Sequence, residues 1–101
     1  MSKQQETLFK ERLMPQLRDI PNSWWFKTQQ LALLGIPDVI GCVNGKFCAL
    51  ELKRHRAASI SKLQLYVVKL IKKSNGYSKI VHPDNYKGVL RDLEKISQLS
   101  M

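Results

Sequence analysis

Acidic residues are scarce in this chain: 8 Asp and Glu stand against 17 Lys and Arg, giving a net charge of +9. Such an excess on a small domain points to a polyanionic partner, with nucleic acid ahead of an anionic membrane surface. A solvated basic face that only aids solubility is the bland alternative. Long apolar runs are missing too. No stretch approaches the ~20 residues of a membrane span, and the polar start from Met1 to Glu6 lacks the apolar core of a signal peptide. A cytoplasmic protein with no membrane partner is expected. Cysteine is limited to Cys42 and Cys48, which have neither zinc-ligand nor redox-pair spacing. They read as small apolar residues in a sheet. Repeats, low-complexity segments and linkers are absent. What remains is a chain of 101 residues, 44% hydrophobic. A single domain of this length buries about two thirds of its unfolded surface without metal clips or disulfides.

The periodicity predicts an α/β mixed fold in the order α-β-β-β-α-β-α, a mixed sheet flanked by helices. Phe9, Leu13 and Leu17 recur at helical spacing over residues 4–19, with Leu8 and Ile20 nearby. Pro15 inside that pattern is expected to kink the helix. Trp24 to Lys27 reads as a short aromatic strand. Thr28 to Gly35 is ambiguous; Leu31, Leu33 and Leu34 pack either on the core or on a partner subunit. Ser61 and Gln64 have the spacing of a capping box, opening a helix with Leu63, Val67, Leu70 and Ile71 inward and Asn75-Gly76 ending it. Tyr77 to Val81 reads as a strand. Asp84 is the expected N-cap of a last helix with Val89, Leu93 and Ile96 buried and Leu90 beside them.

The clearest local signal is Asn44-Gly45 between two apolar stretches. This pair favours a two-residue type I′ hairpin, in which both turn positions need positive φ. If Val43 pairs with Lys46, Cys42 faces Phe47, Ile40 faces Ala49 and Asp38 faces Glu51. Alternation then puts Asp38, Ile40 and Cys42 on one face with Phe47, Ala49, Glu51 and Lys53. Val39, Val43, Cys48, Leu50 and Leu52 take the other.

Two opposed carboxylates on largely apolar strands are costly. At ~5 Å and an effective dielectric of ~20 they repel by about 3 kcal/mol. A shared proton, Lys53 or a cation would offset this. Mg²⁺ is commonly held by one or two carboxylates plus waters and substrate phosphate. There it polarises a phosphoryl oxygen and acidifies bound water, and a neighbouring Lys53 stabilises charge developing on the phosphate. The competing reading is a structural ion pair of Glu51 with Lys53 or Lys27, with Asp38 capping a turn after Pro37.

Gly35-Ile36-Pro37-Asp38 followed by Glu51-Leu52-Lys53 resembles the signature of the PD-(D/E)XK nucleases. More narrowly, nearly the whole chain is similar to stand-alone VRR-NUC (virus-type replication-repair nuclease) domains. The likeness takes in Glu6 ahead of Phe9, Leu13 and Leu17, then Lys27, Gln64, and the run Ile80 to Asn85 with Val89-Leu90. The resemblance implies a restriction-endonuclease-like core. It also implies a metal-dependent, structure-selective DNA endonuclease of Holliday-junction resolvase type, serving phage DNA processing or host DNA repair. Asp38, Glu51 and the Leu52 carbonyl would bind Mg²⁺ or Mn²⁺, and Lys53 would position the attacking water. Gln64 would support the site. Glu6, with Glu11 as the alternative, would reach it from the first helix. A homodimer would suit paired cuts, with Leu31 to Leu34 as the interface unless they pack internally.

Lys53, Arg54, His55, Arg56 and Lys62 make a basic run beside these carboxylates, expected with Lys27 to contact phosphates and otherwise a solvated loop. Lys69, Lys72 and Lys73 read as a solvated helix face. Trp24 and Trp25 either stack on bases or enter the core. His55 and His82 form a poor metal constellation. A module that binds nucleic acid on a nuclease-like scaffold without cutting is the runner-up, distinguished by steep salt dependence without a metal requirement.

Overall fold

The computed structural model describes residues 2–28 and 34–99, with backbone alone for residues 2–6. Its elements follow the expected order: α1 (Ser2–Arg18), β1 (Ser23–Lys27), β2 (Val39–Val43), β3 (Lys46–Leu52), α2 (Lys62–Lys73), β4 (Tyr77–Val81) and α3 (Tyr86–Ser97). The four strands form one mixed sheet in the order β1-β2-β3-β4. β1, β2 and β3 are antiparallel neighbours, and β4 joins β3 in parallel, with α2 as the crossover that parallel pairing requires. No helix among the described residues is long and apolar enough to cross a membrane.

Asn44 and Gly45 have φ of 50° and 85°, the type I′ turn expected of Asn-Gly. The turn pairs Val43 with Lys46, Cys42 with Phe47 and Ile40 with Ala49. The Asn44 amide also donates to the carbonyls of Ile96 and Leu99, at 3.0 and 2.8 Å, tying the hairpin to the end of α3. α1 runs through Pro15 unbroken. Pro15 and Glu11 are both exposed, so the carbonyl whose amide partner proline removes lies on the wet side of the helix.

α1 and α3 cover one face of the sheet. Leu13, Leu17, Val39, Val43, Leu50, Val81, Val89 and Leu93 are fully buried there. Trp25 lies across Gly41 in this layer. A Cβ at Gly41 would come within 2.4 Å of both the Trp24 carbonyl oxygen and the Trp25 ring, so only glycine lets the indole lie flat on β2. The other face holds α2, packed against β3 and β4, and here the expected inward stripe needs correction. Val68 is the residue of α2 that is buried, while Leu63 and Leu70 are exposed and Val67 and Ile71 only half-buried. Among the described residues α2 packs on β3 and β4, while Trp24 and Phe26, exposed on the same face of the sheet, stack on each other at 5.9 Å. Asp84 is also not the cap of α3. The cap position falls to Asn85, whose side chain makes no cap bond; it accepts from His82 N at 2.8 Å and donates to Ile80 O at 3.0 Å instead.

Burial pushes the Cys48 thiol from 9.0 up to about 11, with nearby Cys42 adding to the effect. Burial, and then its 2.9 Å hydrogen bond to Asp92, pushes the Tyr77 hydroxyl up as well. Below pH 9 both states keep the Cys48 proton, and the thiol contributes no pH dependence. Between pH 9 and about 11 the unfolded chain loses that proton while the folded chain keeps it. Stability must then fall as pH rises, by on the order of 2 kcal/mol. Urea unfolding at stepped pH should show this decline, and Cys48→Ala should make it shallower; an unchanged slope would contradict the assignment.

Candidate functional site

The hairpin ladder explains where the site begins. In a two-residue hairpin closed by Val43 and Lys46, hydrogen-bonded pairs recur at every second position, so the rung after Val39–Leu50 would join Pro37 to Leu52. The Pro37 carbonyl accepts instead from the hydroxyl of Thr28. The Leu52 N–H donates to the Asp38 carboxylate at 2.7 Å, so a side chain completes the rung that the main chain leaves out. The Asp38 carbonyl accepts from Thr28 N at 3.0 Å. Asp38 is therefore fixed to both neighbouring segments, opposite Glu51 in the continued register.

Glu51 lies on the α2 face beside Ile80 of β4 and is only 3% exposed. A carboxylate so buried requires polar company, and Gln64 provides it: its Nε2 donates to Glu51 Oε1 at 2.9 Å. The same side chain completes the capping box of α2. Gln64 Oε1 accepts from Ser61 N at 3.0 Å, and Gln64 N donates to Ser61 Oγ at 3.0 Å. The cap consumes the amide oxygen, so the amide nitrogen is the end presented to the carboxylate. The cap bonds and the bond to Glu51 are thus made at once by one residue.

The other expected residues are distributed more widely. Lys53 follows β3 directly. Its N–H continues the β3–β4 ladder to Val81 O at 2.8 Å, and its ammonium donates to Arg56 O at 3.1 Å. Arg54 is half-buried, and His55, Arg56 and Lys62 are exposed. Lys27 is half-buried and pairs with Val39, which puts it on the α1 face; it cannot share a face with Glu51. Glu6 lies on α1, but its side chain is outside the described residues. So are Leu31, Ala32 and Leu33 of the expected interface; Leu34 is described and is exposed. Sequence reasoning passed over Arg12, which lines a groove with Arg54 and His55. The four-residue spacing of Leu8, Arg12 and Gln16 along α1 was its available signal.

Among the described residues no group of three or more His, Cys, Asp or Glu side chains could hold a metal ion. Asp38 and Glu51 supply two hard carboxylates and no closed protein cage. This donor set fits Mg²⁺ or Mn²⁺, which accept one or two carboxylates and keep waters and phosphate as further ligands. It does not fit a structural zinc site, which wants four ligands rich in thiolate or imidazole. No family model, curated protein or solved structure matches this chain.

Asp38 combines a structural hydrogen bond with its charge, and two substitutions separate these roles. Asp38→Asn keeps an oxygen acceptor for the Leu52 N–H and should retain stability within about 1 kcal/mol. Asp38→Ala leaves that N–H without its partner and should cost about 1–3 kcal/mol. Urea denaturation reads both; equal losses would mean that the hydrogen bond is not what Asp38 contributes.

Proposed function

We propose that this protein is a metal-dependent, structure-selective DNA endonuclease that hydrolyses phosphodiester bonds. The observation that carries the proposal is Glu51, a buried carboxylate held by Gln64, with the Asp38 carboxylate anchored on the N–H of the next residue, Leu52. A protein that only binds DNA has no use for paired carboxylates near phosphate. The resemblance to VRR-NUC domains and the charge of +9 support the same reading. In it, Asp38, Glu51 and the Leu52 carbonyl would hold Mg²⁺ or Mn²⁺, with Glu6 as a further ligand from α1, and an ion held there would supply Lewis-acid polarisation of the scissile phosphate and a more acidic water. Gln64 keeps Glu51 in one orientation. Lys53 leaves the Arg56 carbonyl to orient the attacking water and stabilise negative charge on the phosphate. Arg54, His55, Arg56 and Lys62, on the loop after β3 and at the start of α2, contact flanking phosphates, whereas Lys27 on the opposite face of the sheet has no part in this. The reading includes a homodimer joined through apolar residues exposed on β1 and α2, among them Trp24, Phe26 and Leu70, acting on branched DNA in the cytoplasm of a bacterium or phage-infected host.

One observation favours a second reading, a nucleic-acid-binding module that does not cut: the Lys53 ammonium is engaged by a loop carbonyl. End-labelled four-way junction, flap, duplex and single-stranded DNA, incubated with Mg²⁺, Mn²⁺ or EDTA, separate the two. The nuclease reading expects metal-dependent cutting that favours branched DNA and disappears in Glu51→Gln. It expects a loss of about 10–100-fold in Gln64→Ala, the usual effect of removing a residue that orients a metal ligand. Binding without cutting in either metal, or cutting retained by Glu51→Gln, would overturn it.

A further inference from the structure

A groove of about 420 Å³ runs between α1 and the loop after β3. Arg12 and Gln16 line it from α1, and Arg54 and His55 from the loop. Phe9 and Tyr86 form part of its floor, their rings 6.0 Å apart and nearly perpendicular. Phe9 is almost fully buried and Tyr86 only half-buried, so Tyr86 is the more accessible ring. Among the described residues no carboxylate lines the groove, although Glu11 directly precedes Arg12 in the chain. The Nδ1 of His55 accepts from Ala57 N at 3.2 Å. The neutral imidazole therefore carries its proton on Nε2 and can donate it. Arg54 directly follows Lys53 in the chain, so one wall of the groove continues from the end of the strand that carries Glu51.

We propose that this groove is a subsite for one unpaired nucleotide beside the scissile bond, with its phosphate on Arg12 and Arg54 and its base on Tyr86. Three features select this ligand. Two guanidiniums and an imidazole N–H complement a phosphate. An aromatic ring beside a cationic wall is the recurring platform for single-stranded nucleic acid, whose bases are free to stack. The volume suits one small-ligand-sized group, near the lower end of the ~300–1,000 Å³ range of such sites. In a continuous duplex the base is paired and stacked and cannot enter. At a branch, flap or frayed end it can. The subsite thereby gives a physical origin to structure selectivity. It rests on the nuclease reading for where the cut lies, while binding in the groove stands or falls without any cut.

The test is fluorescence anisotropy in EDTA, where nothing turns over, with labelled oligothymidylate, an abasic oligomer of equal length and a blunt duplex as probes. Arg12→Gln should weaken oligothymidylate about fivefold or more and reduce the slope of log affinity against log salt by about 0.7. Tyr86→Leu, which keeps an apolar partner for Phe9, should weaken oligothymidylate by a similar factor and leave the abasic oligomer unchanged. Thermal melting confirms that both variants are folded. Unchanged oligothymidylate affinity in either variant would overturn the proposal. So would a Tyr86→Leu loss that is equal for the abasic oligomer, or an Arg12→Gln loss that is equal for the duplex. A protein that passes this test but never cuts would retain the subsite and lose the nuclease reading alone.

Discussion

Asn44 and Gly45 take positive φ, and the two-residue turn they form closes the β2–β3 ladder at Val43 and Lys46. Side chains alternate along a strand with period two, so a slip of one residue would exchange the two faces of β3. Glu51 would then enter the apolar layer beneath α1 and α3, with no amide from α2 to receive it. Leu50 and Leu52 would face α2. Asp38 would no longer meet the Leu52 N–H. The relation of the carboxylates therefore depends on a turn at the opposite end of the hairpin. The Asn44 bonds to the end of α3 hold that turn against the body of the domain.

Gln64 joins the start of α2 to the sheet. Its oxygen and backbone N–H serve the helix cap and its amide nitrogen serves Glu51. A capping box contributes on the order of 1 kcal/mol to a helix, and a hydrogen bond to a charged group about 1.5–3 kcal/mol. The second is the larger, so the site depends on Gln64 more than the helix does. Loss of the residue would leave α2 frayed at its first turn and Glu51 short of one donor. A helix start and a buried carboxylate are thus stabilised by one side chain, and the geometry of each constrains the other.

The features that were legible in the sequence are those set by neighbours along the chain. The type I′ turn followed from Asn-Gly, the capping box from the spacing of Ser61 and Gln64, and the strand pairing from the turn. The pairing put the two faces of β3 in their observed environments. Features that depend on what packs above an element were not legible. The period of α2 marks an apolar stripe, but not which part of it meets the sheet: Val68 is buried there, and Leu63 and Leu70 stay exposed. Asn85 was passed over for Asp84 because its bonds run back to Ile80 and His82 through a tertiary turn. Lys27 and Glu51 lie on opposite faces because of the β1–β2 register, which no local signal in the sequence carries.

The central claim is that Asp38 and Glu51, positioned by Leu52 and Gln64, form a divalent-ion site. Titration of uniformly ¹⁵N-labelled protein with Mn²⁺, followed by NMR, tests it most directly, because a paramagnetic ion broadens the signals nearest to it. The backbone amides of Asp38, Glu51, Leu52 and Lys53 and the side-chain amide of Gln64 should vanish first, at Mn²⁺ levels that leave α3 untouched. Asp38→Asn should abolish that selectivity. Broadening spread over the surface acids, or identical in Asp38→Asn, would contradict the account and leave the carboxylate pair with a structural role alone.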